Sequence, residues 1–525
     1  MRIALCNEVV AAMPFERNRR DPGEGEDRFA LALAALKRQR CAGVVGVEPS
    51  DQRSSGSAGM KVSVEEVRLY EWPFKLRMPF RFGVITVTHG RQAVARLRLR
   101  TEDGREGWGV AAESLAAMWF DKNPRRTDDQ NLDQLRAALE IAARLYRDGG
   151  ARTPFAHFAE NYAPQIEECG RLGLDPLVAC FGSALLDRAV MDAVCRIDGV
   201  SFWDAMRRNR AGIRAHPVAP DLTGVDFDTF LASLRPVHRI AVRHTVGLVD
   251  PISRAETRVG DGLPETLEEV VRVYGCRFYK LKVGGDVEAD VARLKEIAAV
   301  LDRIEEPYCA SLDGNEQYAD AAGVLALWEA MERTPGLERL RRSILFIEQP
   351  IKRDAALEAD IRALGAKRPV IIDESDGTLD AFPRAKALGY RGVSSKSCKG
   401  FYKSLLNLVR CRLWGDGYFL SGEDLTTLAG VSVQQDLALA SLLGISHVER
   451  NGHHFVDGFS GRPAHEAEAF LAAHPDLYHR QDGKVRLRIE HGDLAIASLA
   501  CPGFATGAMP DFEAMEPMPR ATWPA

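Results

Sequence analysis

Phe278-Tyr279-Lys280-Leu281-Lys282-Val283-Gly284-Gly285 is the stretch around which the rest of the chain is organised. Strand residues alternate faces, so Lys280 and Lys282 share one face while Tyr279, Leu281 and Val283 share the other. Two ammonium groups at that spacing repel each other. Like-charge crowding lowers a lysine pKa, toward the range in which the amine can act as a base. By itself a Lys-x-Lys pair is more often the solvated face of an ordinary strand, and its meaning is set by the residues further along the chain.

Three apolar runs downstream each end in a carboxylate: Tyr308 to Asp313, Ile344 to Glu348, and Val370 to Asp373-Glu374. A fourth, Gly392-Val393-Ser394-Ser395-Lys396, ends in a lysine. The steps from Lys282 through Asp313, Glu348 and Asp373 to Lys396 are 31, 35, 25 and 23 residues. Each is about the length of one strand-plus-helix unit. This rhythm predicts a (β/α) barrel with functional groups at the C-terminal ends of successive strands. A single acid in such a place is commonly a helix N-cap. Three in register beside Lys-x-Lys and Lys396 instead form an all-oxygen set that suits Mg²⁺ or Mn²⁺ better than zinc.

The remaining composition excludes several classes. A length of 525 residues suits two or three domains. Hydrophobic content of 46% and charged content of 27% are those of a globular protein. The net charge of −5 leaves no basic footprint for nucleic acid. Ten cysteines without CxxC spacing read as reduced thiols in a cytoplasmic protein. No apolar run reaches the length of a membrane span.

Residues 1–59 read as a poorly ordered extension or a gene-model artefact, ending in a Ser/Gly-rich linker. Met1 to Glu8 resembles the opening strand of sugar-phosphate isomerase barrels, but the pattern does not continue. Residues 60–215 form a capping unit. It begins with a β meander carrying the hairpin signal Glu102-Asp103-Gly104 and exposing Phe80 and Phe82 on a loop, and continues with a layer of three or four helices over 127–210. Strand and helix alternate over 216–455, with strands ending near 246, 282, 313, 348, 373, 396, 421 and 449. Residues 456–525 return toward the cap.

Lys280-Leu281-Lys282, Asp313-Gly314-Asn315, Ile347-Glu348-Gln349-Pro350, Asp373-Glu374-Ser375 and Lys396-Ser397-Cys398-Lys399-Gly400 together resemble the enolase superfamily, specifically the mandelate racemase/muconate lactonizing enzyme group. The resemblance spans about residues 60–460. It implies an α/β fold, a (β/α)₇β TIM-like barrel under an N-terminal α+β capping domain. It further implies a divalent metal (Mg²⁺ or Mn²⁺) on Asp313, Glu348 and Asp373, and abstraction of a proton α to a carboxylate through an enediolate.

Carried over by position, Lys282 resembles the base on one face of the substrate carbon, and Lys280 a group that lowers its pKa and binds the substrate carboxylate. Lys396 resembles the acid/base on the opposite face, and Glu449 the eighth-strand acid that hydrogen-bonds the enediolate. Phe80, Phe82, Trp119 and Phe120 fall where the family's two specificity loops lie, as substrate contacts or as packing between cap and barrel. Arg81 and Lys122 hint at an anionic substrate. His244 reads as a core histidine before a site residue, and His453 and His454 as site-lining or loop-capping.

Lysine on the sixth strand, with no His–Asp dyad, places the chain nearer the two-lysine branch of cycloisomerases, synthases, racemases and dipeptide epimerases than the sugar-acid dehydratases. Two features depart from that branch: Gly400-Phe401 in place of Gly-Gly, and a long step to Glu348 that implies an insertion near 333–343. The expected activity is racemisation or epimerisation of a small-molecule carboxylate by a homo-oligomeric enzyme. A dehydratase or cycloisomerase on the same site, and a catalytically silent metal-binding barrel, are the alternatives.

Overall fold

The computed structural model describes residues 59–524. The reading of the first 58 residues lies outside the described residues. Three antiparallel strands open the fold: β1 (Val62–Phe82), β2 (Ile85–Thr101) and β3 (Glu106–Ser114). The far end of β1 and the start of β2 form a long hairpin, with Phe82 opposite Ile85 across a two-residue turn. Gly83 takes φ +51° at the first turn position, the conformation that such tight hairpins require. A Cβ there would stand 2.5 Å from Gln317 Nε2, so the hairpin tip rests on a barrel loop. Phe80 and Phe82 therefore lie in strand with their rings buried, not exposed on a loop.

Four helices come next: α1 (Ala117–Phe120), α2 (Asp128–Asp148), α3 (Pro154–Arg171) and α4 (Pro176–Asp198). Their starts are encoded locally. Thr127 and Gln130 form a capping box on α2, and Asp175 with Pro176 caps α4. α4 is buried along nearly its whole length between the sheet and the barrel. Its Arg188 donates to Glu113 Oε2 (3.0 Å), Ala112 O (3.1 Å) and Gln435 Oε1 (3.3 Å), tying β3 to a barrel helix.

The barrel contains β4 (Arg239–Val246), β5 (Phe278–Lys282), β6 (Cys309–Asp313), β7 (Ile344–Glu348), β8 (Val370–Ile372), β9 (Gly392–Ser395), β10 (Phe419–Gly422) and β11 (His447–Arg450). Neighbours pair in parallel, and β11 closes on β4 with His447 opposite Ala241. Helices come after each of the first seven of these strands, giving (β/α)₇β. The long step before Glu348 holds two helices, Ala321–Arg333 and the short Glu338–Ser343. The chain then returns to the cap: Glu516–Pro517 pairs with β1, and Thr522 donates to Asp133 on α2.

Candidate active site

Parallel strands around a closed barrel deliver their terminal side chains to one mouth. Lys282, Asp313 and Glu348 end β5, β6 and β7 and stand opposite one another in register. Asp373 and Lys396 each come one residue after β8 and β9, and Glu449 lies on β11. The structure thus brings all seven expected catalytic and metal-holding residues to the same end of the barrel.

The lysines and acids are interlocked. Lys280 Nζ lies 2.9 Å from Asp313 Oδ2, 2.9 Å from Glu348 Oε2, 2.8 Å from Glu423 Oε2 and 2.9 Å from Glu449 Oε2. Lys282 donates to Asp313 Oδ2 at 2.6 Å, and Lys396 to Asp373 Oδ2 at 2.6 Å. Glu449 is oriented by Thr245 Oγ1 (2.6 Å) and by the Asp424 N–H (2.9 Å). Glu423 is additionally paired with Arg243, itself fully buried on β4.

These contacts correct the expectation that like-charge crowding shifts Lys280 downward. Burial opposes the charge of Lys280, but the four carboxylates outweigh it and hold the ammonium well above its ordinary pKa. Lys396 is pushed up in the same way, burial being outweighed by Asp373 together with Glu348 and Glu449. Asp313 stays low because Lys280 and Lys282 outweigh its burial, and Asp373 lower still through Lys396 and Lys399. The surplus of negative charge falls on Glu348. Burial, then repulsion from Asp313 and Glu423, raise its pKa well above the usual carboxylate range despite Lys280.

A cavity of about 610 Å³ lies between this mouth and the β1–β2 hairpin. Lys280, Lys282, Lys396, Asn315 and Glu449 line it on the barrel side. Phe80, Phe82 and Trp119 line it from the cap, and the Trp119 ring sits 4.1 Å from Lys396 Nζ. Phe120 is placed elsewhere: its ring packs on Trp119 (4.9 Å) and Phe181 (5.3 Å) in the core of the cap. Lys122 is also committed away from the cavity, to Glu316 (2.6 Å) and Glu374 (2.9 Å). Arg353 completes that junction by donating to the Trp119 and Phe120 carbonyls and to Glu316.

His244 is buried, its pKa pushed down to about 3 by desolvation, and its ring meets His454 edge-on at 4.9 Å. His453 joins this imidazole group, 6.3 Å from His244. These histidines pack beside the barrel strands and are not among the residues that line the cavity.

Sequence reasoning missed Glu423 and Arg243. Glu423 comes just after β10 as Asp373 comes just after β8, and Arg243 shares its strand face with Thr245. Both signals were present. Only the tertiary contact of Glu423 with both Lys280 and Arg243 distinguishes them from ordinary loop and strand charges.

Residues 262–399 match the family model described as enolase C-terminal domain-like. Solved structures resemble the chain over most of its length. A dipeptide epimerase from Enterococcus faecalis V583, complexed with Mg and L-Leu-L-Tyr, is 15% identical with a TM-score of 0.54, covering 84% of this chain and 99% of its own. A 2-chloromuconate cycloisomerase from Rhodococcus opacus 1CP is 17% identical with a TM-score of 0.54, covering 86% and 98%. A muconate lactonizing enzyme from Pseudomonas fluorescens, complexed with muconolactone, is 17% identical with a TM-score of 0.52, covering 86% and 98%.

Over residues 262–399 the chain carries the enolase C-terminal domain-like pattern, and over the rest of its described length the likeness is one of fold. At these identities the solved structures of the superfamily speak for the fold alone. No curated protein matches the chain. Among the described residues no helix is long and apolar enough to cross a membrane.

The donor set fits the divalent cation associated with the superfamily. Asp313, Glu348 and Asp373 offer only oxygen, and both oxygens of the buried Glu348 carboxylate face the Lys280 ammonium at 2.9 Å. In the structure ammonium groups hold these acids, and no cluster of three metal-ligating side chains stands in binding geometry among the described residues.

Proposed function

We propose that the protein is an enzyme that removes a proton α to the carboxylate of a small molecule and returns one to the same carbon, a racemase or epimerase. One observation carries this reading. Lys282 lies on the second strand of the barrel and Lys396 comes just after the sixth, four strands away in either direction around an eight-stranded ring, and both line one cavity. A substrate carbon between them presents one face to each amine.

Lys396, held protonated by Asp373, serves as the proton donor on its face, and the Trp119 ring over its ammonium limits where that group can point. Lys282 serves as the acceptor on the other face. Its proton-holding partner is Asp313, so base work requires that pair to loosen. Lys280, pinned among four acids, remains cationic and supplies fixed positive charge for a substrate carboxylate. Glu449, oriented by Thr245 and the Asp424 amide, is placed to accept or share a proton with the oxygen that gains charge. Asp313, Glu348 and Asp373 would hold a Mg²⁺ or Mn²⁺ ion, whose Lewis acidity would acidify the α-proton. The rings of Phe80, Phe82 and Trp119 on the cap wall suit a substrate with an apolar portion.

Proton NMR in D₂O with Mg²⁺ tests this, using a pool of α-hydroxy acids, sugar acids, N-acyl amino acids and dipeptides. Metal-dependent loss of one α-proton signal with inversion is expected. In Lys282→Ala and Lys396→Ala the inversion falls by about 10²-fold or more, the scale of a lost general acid or base. An alkene or keto product would move the assignment to a lyase or cycloisomerase. Exchange that survives Lys282→Ala unchanged would sink the proposal.

A further inference from the structure

Asp373 differs from the other mouth acids in its partners. Its Oδ2 accepts from Lys396 at 2.6 Å, while its Oδ1 accepts from the Ser394 hydroxyl and lies 3.3 Å from a second ammonium, that of Lys399. Lys399 Nζ also donates to Ser394 Oγ at 2.7 Å and to the Asp373 carbonyl at 3.3 Å. Behind it stands Asp376, whose Oδ2 is 3.1 Å from Lys399 Nζ and 3.5 Å from Lys403 Nζ. All five of these charged side chains are buried.

Lys280, Lys282 and Lys396 line the cavity, where a substrate anion can engage them, but Lys399 is not among the lining residues. Asp376, Ser394 and Asp373 hold its buried ammonium in place. Its charge is thus a permanent feature of the Asp373 environment.

We propose that Lys399 weakens divalent-cation binding at the barrel mouth, by acting as a fixed counter-charge to Asp373. The inference rests on the proposed role of Asp313, Glu348 and Asp373 in holding the cation. A buried unit charge beside a ligand oxygen repels a doubly charged ion through a medium that screens far less than water. It also draws electron density from the oxygen it faces. Asp376 moderates the effect by sharing the ammonium, so Lys399 and Asp376 act on cation affinity with opposite sign.

Calorimetric titration of the metal-stripped full chain with MnCl₂ tests this without any substrate. The variants are Lys399→Met, which keeps the side-chain length, Asp376→Asn, and Asp313→Asn as the control for the metal site. Lys399→Met is expected to bind Mn²⁺ about tenfold or more tightly than wild type, and Asp376→Asn more weakly. Equal or weaker binding by a folded Lys399→Met overturns the inference and leaves the metal site standing. If circular dichroism shows that Lys399→Met does not fold, Asp376→Asn decides, and equal or tighter binding there overturns it. If Asp313→Asn binds Mn²⁺ as wild type does, or wild type binds none, the metal-site reading falls and takes the inference with it.

Discussion

At the scale of single residues the site is governed by charge balance around Lys280. Its ammonium touches Asp313, Glu348, Glu423 and Glu449, all fully buried or nearly so. Removing one partner of a buried ion network leaves uncompensated charge, at a cost of about 3–5 kcal/mol. Lys280→Met is therefore expected to destabilise the fold by that amount in urea denaturation at neutral pH, and a loss below about 1 kcal/mol would show that the acids are neutralised otherwise. Trp119→Leu removes the contacts with Lys396 and with the Phe120 ring and is expected to cost about 2–3 kcal/mol in the same denaturation. Lys-x-Lys itself was legible in the sequence. That Lys280 is clamped protonated, not crowded toward neutrality, was not, because Glu423 and Glu449 lie 143 and 169 residues away along the chain.

At the scale of elements, α4 decides how the cap sits on the barrel. Gly109 on β3 lets the helix approach closely: a Cβ there would stand 2.0 Å from Ala189 O and 2.5 Å from Ala193 N, both backbone atoms that cannot swing aside. Gly109→Ala is expected to force α4 outward and lower stability by about 1–3 kcal/mol, checked by thermal melting. An unchanged melting temperature would mean that sheet and helix are less tightly engaged. Helix starts at Thr127 and Asp175 and the left-handed end at Gly199 use local chemistry, so they are readable from neighbouring residues in the chain. The two helices between β6 and β7 account for the long step that precedes Glu348. The hairpin carrying Phe80 and Phe82 reads as a loop from sequence alone, because strand character there comes from pairing with residues 85–87.

At the scale of the whole molecule, stability depends on keeping several imidazoles neutral. His244, His447, His453 and His454 are buried, and desolvation pushes each pKa below the usual histidine value, that of His244 to about 3. A depressed folded-state pKa means that the unfolded chain binds the proton first as pH falls. Stability is thus full above the unfolded value of about 6.5 and declines below it, by about 1.4 kcal/mol per pH unit for each such histidine. Urea midpoints measured at pH 7.5 and 5.5 should fall at the lower pH, and His244→Phe should flatten the dependence. A slope unchanged in that variant would place the titration elsewhere. The buried carboxylate Glu348, raised by burial and by its acidic neighbours, works in the opposite direction and favours the lower pH.

The sequence by itself determined the barrel's repeat and the seven residues that gather at its mouth. A strand-plus-helix unit has a nearly constant length, so acids and lysines placed at that interval must emerge at one end. It also determined the cap's helix boundaries, through side chains that bond to backbone groups a few residues away. Only the tertiary structure decided the charge states and the shape of the site. Those depend on which buried groups meet across long separations: Glu423 between Lys280 and Arg243, Lys399 behind Asp373, Trp119 over Lys396. Electrostatic energies in a desolvated interior depend on a few ångströms of separation, a quantity that neither spacing nor periodicity along the chain encodes.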